Sequence, residues 1–236
     1  MKFKIEKEIL EKFSGVTVGV LIAKEIDNTG PTPEEIQEEK RALQVKIRAQ
    51  YPNTETLSQH PKIDVWRKAY SLFGGEPKKN KSSIENLYRK ISNGKSIGQI
   101  NKIVDIYNVI SLKYMLPIGG EDLDKMQGDL LLTYAQENEV PILLLGEKEA
   151  RVPKKGEVIY KDALGTVCRR WNWKEAERTK LTETTKNIIL VIESLSPIDP
   201  QETQQALQEL KEKIEKYGGG KTTLKMLNAT EPEIEF

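Results

Sequence analysis

The segment from Ile100 to Leu112 has the spacing of an α-helix that is apolar on almost every side. Three polar residues, Asn101, Asp105 and Asn108, interrupt this apolar surface, and at about 100° per residue they fall on one stripe. A helix of this kind packs inside a protein. Because a buried amide or carboxylate without a partner costs on the order of 1–3 kcal/mol, the stripe must hydrogen-bond to neighbouring protein groups or to a bound molecule.

The composition limits the kind of protein to which this helix belongs. The 236 residues are 37% hydrophobic and 31% charged, and we predict one domain over residues 1–236. Lys and Arg number 37 against 36 Asp and Glu, so any contact with nucleic acid has to come from local patches. The N-terminus has no leader-like apolar run and no segment approaches 18 apolar residues, which predicts a cytoplasmic protein without membrane contact.

The chain has one cysteine, Cys168, and one histidine, His60. A single cysteine excludes an intramolecular disulfide. One cysteine and one histidine are too few ligands for a zinc site, so we expect no metal and no other cofactor. His60 precedes Pro61 in a loop-like segment, so it is expected to pack or to cap a helix rather than to serve a catalytic triad. Cys168 is expected to be a small buried residue rather than a nucleophile.

Helical and strand patterns occupy different parts of the chain. A strand over residues 15–26 precedes helices over residues 32–49, 62–73 and 82–93. After Gly128, strands are predicted in DLLLTYA, VPILLL, GEVIY and GTVCRRWNW. A helix capped by Thr182 is predicted to run through IILVIESL, a further helix and strand occupy residues 199–228, and the acidic tail is expected to fray. This order predicts an α+β fold with layered mixed or antiparallel sheets packed with helices.

Several ordered motifs resemble a known family. VDIYN, the loop LPIGGEDLDKMQGD, GEVIY and WNWKEAERTKLTETTKN are similar to the B3/B4 domain of the β subunit of phenylalanyl-tRNA synthetase, over a core of residues 63–193. That domain is an editing module that hydrolyses misacylated tRNA. The resemblance implies a B3/B4-like α+β fold, and either a free-standing hydrolase acting in trans or a non-catalytic module that binds tRNA or an amino acid. The chain has no P-loop, and its GG and GGG runs are interpreted as helix C-caps.

The resemblance also implies roles for individual residues. Asn101, Asp105 and Asn108 match the helical motif that lines one wall of the editing pocket, and Glu177 takes the place of the glutamate in the family's GGE segment. These four are the predicted catalytic residues, although Asp105 can equally be bonded to backbone N–H groups. Where the family has a histidine near the scissile ester, this chain has Gly119. That difference implies lost hydrolysis, another water-positioning group, or a pocket opened for another amino acid.

Four residues are predicted to contact the substrate. Gly119 and Gly120 belong to the pocket loop. Trp171 and Trp173 lie two apart on a predicted strand, as core residues or as a stacking platform for a base or an amino-acid ring. Further residues match the family, and the two aspartates among them are also suited to capping a turn. They are Pro117, Asp122, Asp124, Thr182 and Thr185.

Basic residues near these motifs are the predicted phosphate contacts of a tRNA partner, although most such clusters are merely solvated faces. They are Lys78, Lys79, Lys81, Lys154, Lys155, Arg169, Arg170 and Arg178. A third hypothesis makes the helix over residues 200–217 an interaction surface for another protein.

Overall fold

Six α-helices pack with two β-sheets in a computed structural model that describes residues 1–236. The helices are α1 (Lys7–Lys12), α2 (Glu34–Gln50), α3 (Pro61–Leu72), α4 (Ser83–Ser92), α5 (Lys102–Tyr114) and α6 (Pro200–Gly218). The strands are β1 (Lys2–Ile5), β2 (Thr17–Lys24), β3 (Ile118–Asp122), β4 (Leu130–Tyr134), β5 (Val158–Asp162), β6 (Gly165–Arg169), β7 (Lys174–Glu175), β8 (Ile188–Ser194), β9 (Lys221–Leu227) and β10 (Glu233–Glu235). The predicted α+β fold class is confirmed. None of the helices is both long and apolar enough to span a membrane.

The two sheets form adjacent layers. The six-stranded mixed sheet has the order β10-β1-β4-β5-β6-β7, with β1 and β4 parallel and all other neighbours antiparallel. The four-stranded antiparallel sheet has the order β3-β8-β2-β9. The largest core cluster joins both sheets to α3, and includes Phe3, Val20 and Trp66. A second cluster joins the antiparallel sheet to α5 and α6, so this sheet is covered on both faces.

Helix α5 lies inside the protein, as its sequence predicts. Every residue from Lys102 to Leu112 is buried, since α5 packs against α2, α4, α6 and β3. The side-chain oxygen of Asn101 accepts a hydrogen bond from the backbone N–H of Val104 at 3.1 Å and so caps the first turn. Met115 ends the helix in a left-handed conformation.

The segment IILVIESL forms strand β8 and not the predicted helix after Thr182. Strand β8 lies between β2 and β3, and all but one of its residues are buried. A strand with both faces covered has a continuous apolar sequence, which periodicity cannot distinguish from a buried helix. The helix prediction was therefore wrong for a reason that only strand pairing could reveal.

Three other segments differ from the sequence predictions. Gly119 and Gly120, interpreted as loop and cap residues, lie in β3 and pair with β8. The acidic tail forms β10, which is antiparallel to β1 instead of frayed. VPILLL makes only isolated bridges to neighbouring segments. The GGG run does end α6, where Gly219 has a φ of 65°.

Candidate functional site

A cavity of about 280 Å³ lies between the two sheets, next to α4 and α5. One wall is a face of the antiparallel sheet, because side chains two residues apart on a strand point the same way. Strand β8 contributes Ile189, Val191 and Glu193 to this face. Strand β3 contributes Gly119 and Glu121, which pair with Val191 and Ile189. The alternation along β8 and β3 thus brings two carboxyl groups, those of Glu193 and Glu121, into a wall that also carries apolar side chains.

The mixed sheet and the helices supply the remaining walls. From the sheet and its loops come Leu130, Tyr160, Cys168, Trp171, Trp173 and Glu175. From α4 and α5 come Ser83, Asn86, Leu87, Tyr107 and Asn108. Pockets for drug-sized ligands measure about 300–1,000 Å³, and this cavity of about 280 Å³ lies just below that range, which suits a smaller group of amino-acid size.

Glu193 is one of three glutamates in the cavity, and its carboxylate is fully bonded. One oxygen accepts a hydrogen bond from the Tyr160 hydroxyl at 2.5 Å, and the other accepts one from the Asn172 amide at 2.7 Å. Burial raises the pKa of Glu193 to about 7, and these two hydrogen bonds oppose the rise. The same amide group of Asn172 accepts from the Tyr70 hydroxyl at 2.9 Å, which ties Glu193 to α3.

Glu175 lies on β7 opposite Cys168 of β6. Its Oε1 accepts a hydrogen bond from the backbone N–H of Gly120 at 3.2 Å. The same oxygen lies 2.8 Å from the position that a Cβ atom would take at Gly119. Burial raises the pKa of Glu175 to about 7, and the Gly120 N–H opposes the rise. A carboxyl group with this pKa is partly ionised at neutral pH and can accept a proton from water.

Glu121 is the glutamate with an unbonded carboxyl oxygen, although the Thr179 hydroxyl lies close enough to lower the pKa of its carboxyl group. Its side chain is 6% exposed, and its Oε2 is buried without a hydrogen bond. Burial, and next the charge of Glu175, raise the pKa of Glu121 well above the usual value. Buried polar atoms in proteins are nearly always hydrogen-bonded, so an exception that lines a cavity indicates a place for a bound group.

The polar stripe of α5 does not face the cavity as a unit. Asn101 caps the helix and donates from its amide to the carbonyl of Leu181 at 3.1 Å. Asp105 is 0% exposed, lies 2.9 Å from the ammonium of Lys40, and accepts from the Thr32 hydroxyl at 2.6 Å. Both side chains lie outside the cavity with protein partners. In this structure Asn101 caps a helix and Asp105 forms a buried ion pair, and their catalytic role stays a prediction.

Asn108 is the one member of the stripe that lines the cavity. Glu177 does not line it, since its carboxylate pairs with Lys180 at the surface. The backbone N–H of Glu177 bonds to the carbonyl of Leu143, beyond the end of β7. Glu175, two residues earlier, lines the cavity instead.

Trp171 and Trp173 line the cavity, but they do not lie on one face of a strand. Arg170 and Trp171 have left-handed backbone conformations, with φ of 48° and 65°, which turn the chain after β6. Trp171 is 0% exposed and packs edge-to-face on Trp66 at 5.2 Å between ring centroids. The guanidinium of Arg170 lies 4.4 Å from the centroid of the Trp173 ring. Trp171 is therefore both a core residue and a wall of the cavity.

Two of the predicted phosphate contacts are used inside the protein. Arg169 is 3% exposed and makes a bidentate pair with Glu157 at 2.6 and 2.9 Å. Arg178 makes a bidentate pair with Asp162 at 2.8 and 3.0 Å. A bidentate carboxylate uses two of the five guanidinium N–H donors and neutralises the positive charge, which weakens its attraction for a phosphate. In this structure both arginines are paired with carboxylates of the protein.

The predicted lysine contacts lie near the surface. Lys78, Lys79, Lys154 and Lys155 are exposed, and Lys81 is half-buried. Lys79 forms a hydrogen bond that lowers the pKa of Glu76, and Lys154 and Arg170 lower it further, so these groups lie close together. The lysine-bearing turn leads directly into Ser83, a cavity residue. Positive charge therefore lies beside one edge of the cavity.

The remaining predictions concern residues that cap or pack. His60 caps α3, where its Nδ1 accepts from the backbone N–H of Lys62 at 3.2 Å. Asp122 caps a turn by accepting from the backbone N–H of Asp124 at 3.1 Å. Burial raises the pKa of the Cys168 thiol well above its usual value, which opposes nucleophilic reactivity.

The sequence-based prediction missed the three glutamates of the cavity. One signal was present for Glu193, because IILVIES read as a strand places this residue on one face with Ile189 and Val191. Glu121 and Glu175 carried no comparable signal. Their positions depend on β3 pairing with β8 and on the tight connection between β6 and β7.

Substituting Gly119 by Ala is expected to separate the Glu175 carboxylate from Gly120 with little loss of stability. The new Cβ meets only the flexible end of Glu175, which rotates away from its hydrogen bond. Gly120→Ala is the matched comparison. Its Cβ meets Leu190 Cδ2 at 2.3 Å and the Ile189 carbonyl at 2.9 Å, so about 1–3 kcal/mol of stability should be lost. Urea denaturation of both variants measures the difference, and equal losses would contradict it.

Comparisons with known proteins point to one family. A family model described as the B3/4 domain matches residues 65–219. The phenylalanine–tRNA ligase beta subunit of Fusobacterium nucleatum is 31% identical over 106 residues, which are 43% of this chain and 12% of that protein. The subunit of the same name from Bordetella pertussis is 34% identical over 91 residues, 39% of this chain and 11% of that protein. The chain thus spans about an eighth of the length of these relatives.

A solved structure also aligns with the chain. It is an N-terminal fragment of the phenylalanyl-tRNA synthetase beta-subunit from Pyrococcus horikoshii, with a TM-score of 0.45 and 13% sequence identity. The alignment covers 93% of this chain and 49% of the fragment.

Proposed function

Since the chain belongs to the B3/4 domain family, we propose that it hydrolyses the ester bond of misacylated aminoacyl-tRNA in trans. One observation carries this proposal: the Glu175 carboxylate, with a pKa of about 7, stands beside Gly119 in a cavity of amino-acid size. Gly119 is the position at which the family resemblance places a histidine. In this proposal Glu175 is the water-positioning group that replaces the histidine imidazole. Residues 1–236 form the single domain that carries the site.

The reaction needs positioning more than a strong nucleophile, because an aminoacyl ester is already activated. Glu175 accepts a proton from a water molecule as the water oxygen attacks the ester carbonyl carbon. The tetrahedral intermediate collapses, the bond to the ribose oxygen breaks, and the proton passes to that oxygen. The Asn108 amide lines the same cavity and donates a hydrogen bond to the developing oxyanion.

The tRNA end of the substrate meets the basic groups beside the cavity. Lys78 and Lys154 are exposed, and the turn carrying Lys78 leads into Ser83 at the cavity wall. Phosphate contacts position a nucleic acid without reading its sequence. Contacts of this kind are sufficient to place the acylated 3′ end of a tRNA at a hydrolytic site. Trp173, with Arg170 over its ring, offers a surface on which the terminal base stacks.

A deacylation assay on a panel of mischarged tRNAs tests the proposal. The full chain is expected to release the amino acid from at least one of them faster than buffer alone. Filter-binding of the same tRNAs is measured in parallel. Binding without accelerated cleavage would replace the hydrolase by the second candidate, a non-catalytic module that binds tRNA or an amino acid.

The rate is expected to rise with pH through about 7. Glu175 acts as a base only when ionised, and its pKa lies at about 7. The kcat/KM for deacylation, corrected for the buffer rate at each pH, should therefore increase between about pH 6 and 8 and then level off. A flat or falling profile would exclude Glu175 as the base.

A further inference from the structure

The cavity combines apolar walls with an excess of carboxyl groups. Glu121, Glu175 and Glu193 line it together with apolar residues of both sheets. Lys174 is the single basic residue of the lining, and its ammonium is 2.9 Å from Glu147. No lining residue therefore supplies a free positive charge to the glutamates.

The three carboxyl groups differ in how far protein groups satisfy them. Glu193 is bonded by Tyr160 and Asn172, and Glu175 by the Gly120 N–H. Glu121 is more than nine-tenths buried, lines the cavity, and has an oxygen without a partner. Of the three carboxyl groups, Glu121 is therefore the one with an oxygen free to bond to a ligand.

The charged neighbours of Glu121 do not neutralise it. Glu175 on β7 and Asp162 on β5 add negative charge to its surroundings, whereas Arg178 adds positive charge. The Arg178 guanidinium, however, is held by Asp162 at 2.8 and 3.0 Å and does not line the cavity. A cation bound in the cavity would supply the missing counter-charge.

We propose, as an extension of the proposed function, that the amino acid removed from tRNA carries an alkylammonium side chain, and that Glu121 binds this ammonium group. The aliphatic part of the side chain packs on Ile189 and Val191, which flank Glu121 on the same sheet face. The ester carbonyl then lies toward Glu175, which is more exposed than Glu121. Recognition and proton transfer are thus assigned to different glutamates.

A substrate with a neutral side chain of similar length binds more weakly, because in its complex the Glu121 carboxyl group keeps an oxygen without a partner. Sites that hold a polar substrate group reject analogues lacking it far more strongly than apolar pockets reject a missing methylene. Burial raises the pKa values of Glu121 and Glu175. Because a bound cation favours their ionised forms, the affinity for the cation should increase as the pH rises.

Calorimetric binding of aminoacyl amides to the full chain at pH 8 tests the inference. L-Lysinamide and L-norleucinamide share the α-ammonium and the aliphatic chain, and differ in the terminal ammonium. Lysinamide should bind about 10- to 100-fold more tightly than norleucinamide and than L-tyrosinamide. Equal or tighter binding of norleucinamide or tyrosinamide, or no binding of any amide, would overturn the proposal.

Two variants locate the effect. Glu121→Gln, which keeps the side-chain shape, should reduce the preference for lysinamide to within about threefold. Glu183→Gln, at an exposed position outside the cavity, removes the same charge and should keep the preference. If Glu121→Gln does not fold, competition in the parent protein decides. In that competition titration, n-butylammonium should displace lysinamide and n-butanol should not. Equal displacement by the two compounds would contradict the proposal.

The amides cannot report ester cleavage, so the two proposals fail separately. A preference for lysinamide without deacylation of any tRNA would remove the hydrolase and keep the cation site. Deacylation of tRNA carrying neutral amino acids without a preference for lysinamide would remove the cation site and keep the hydrolase.

Discussion

Glu175→Gln is expected to lower kcat/KM for deacylation by about 10²- to 10⁴-fold, because an amide cannot accept the proton of the attacking water. The substitution keeps the shape of the side chain and an oxygen that can accept from the Gly120 N–H. It also removes a carboxyl group whose burial is unfavourable in the charged state, so the variant should fold at least as stably as the parent. Single-turnover rates on the best mischarged tRNA measure the effect.

Glu177→Gln is the matched control for this prediction. It changes the same side-chain type two residues away, at a carboxylate that pairs with Lys180 outside the cavity. Its deacylation rate should stay within about twofold of the parent, in line with the small energies of exposed ion pairs. If Glu177→Gln lost activity and Glu175→Gln kept it, the sequence-based assignment of the glutamate would be restored.

Asp105→Asn is expected to destabilise the protein by about 3–5 kcal/mol, the usual cost of leaving one member of a buried ion pair without its partner. The Lys40 ammonium lies 2.9 Å from Asp105, and the two side chains are 4% and 0% exposed. Lys40 would then have only neutral acceptors, the new amide oxygen and the carbonyl of Gly98 at 3.1 Å, and no charged partner. Urea denaturation followed by far-UV circular dichroism gives the free energy of unfolding.

The double variant Lys40→Met with Asp105→Asn separates charge from packing. Removing both charges should recover most of the lost stability, because the unpaired buried ammonium is then absent. Glu35→Gln, which breaks an exposed pair with Lys216, should have little effect on unfolding. A stable Asp105→Asn protein that no longer cleaves ester would instead support the catalytic role predicted for Asp105 from the sequence.

Local patterns were sufficient for much of the architecture. The burial of α5, the cap at His60 and the start of α4 next to Ser82 follow from residues within a few positions of one another. Hydrogen bonds between a side chain and the next turn of backbone are short-range, so a sequence displays them directly. The α+β class followed from the separation of helical and strand patterns.

The sequence by itself determined the fold class, the buried α5 and, through its motifs, the membership of the B3/4 domain family. Only the tertiary structure decided that IILVIESL is a strand, that Asp105 faces Lys40, and that Glu175 rather than Glu177 lines the cavity. The physical reason is the same in each case. Strand pairing and ion pairing join residues that are distant in the chain, and a carboxyl group enters or misses the cavity according to a shift of two residues that no local periodicity distinguishes.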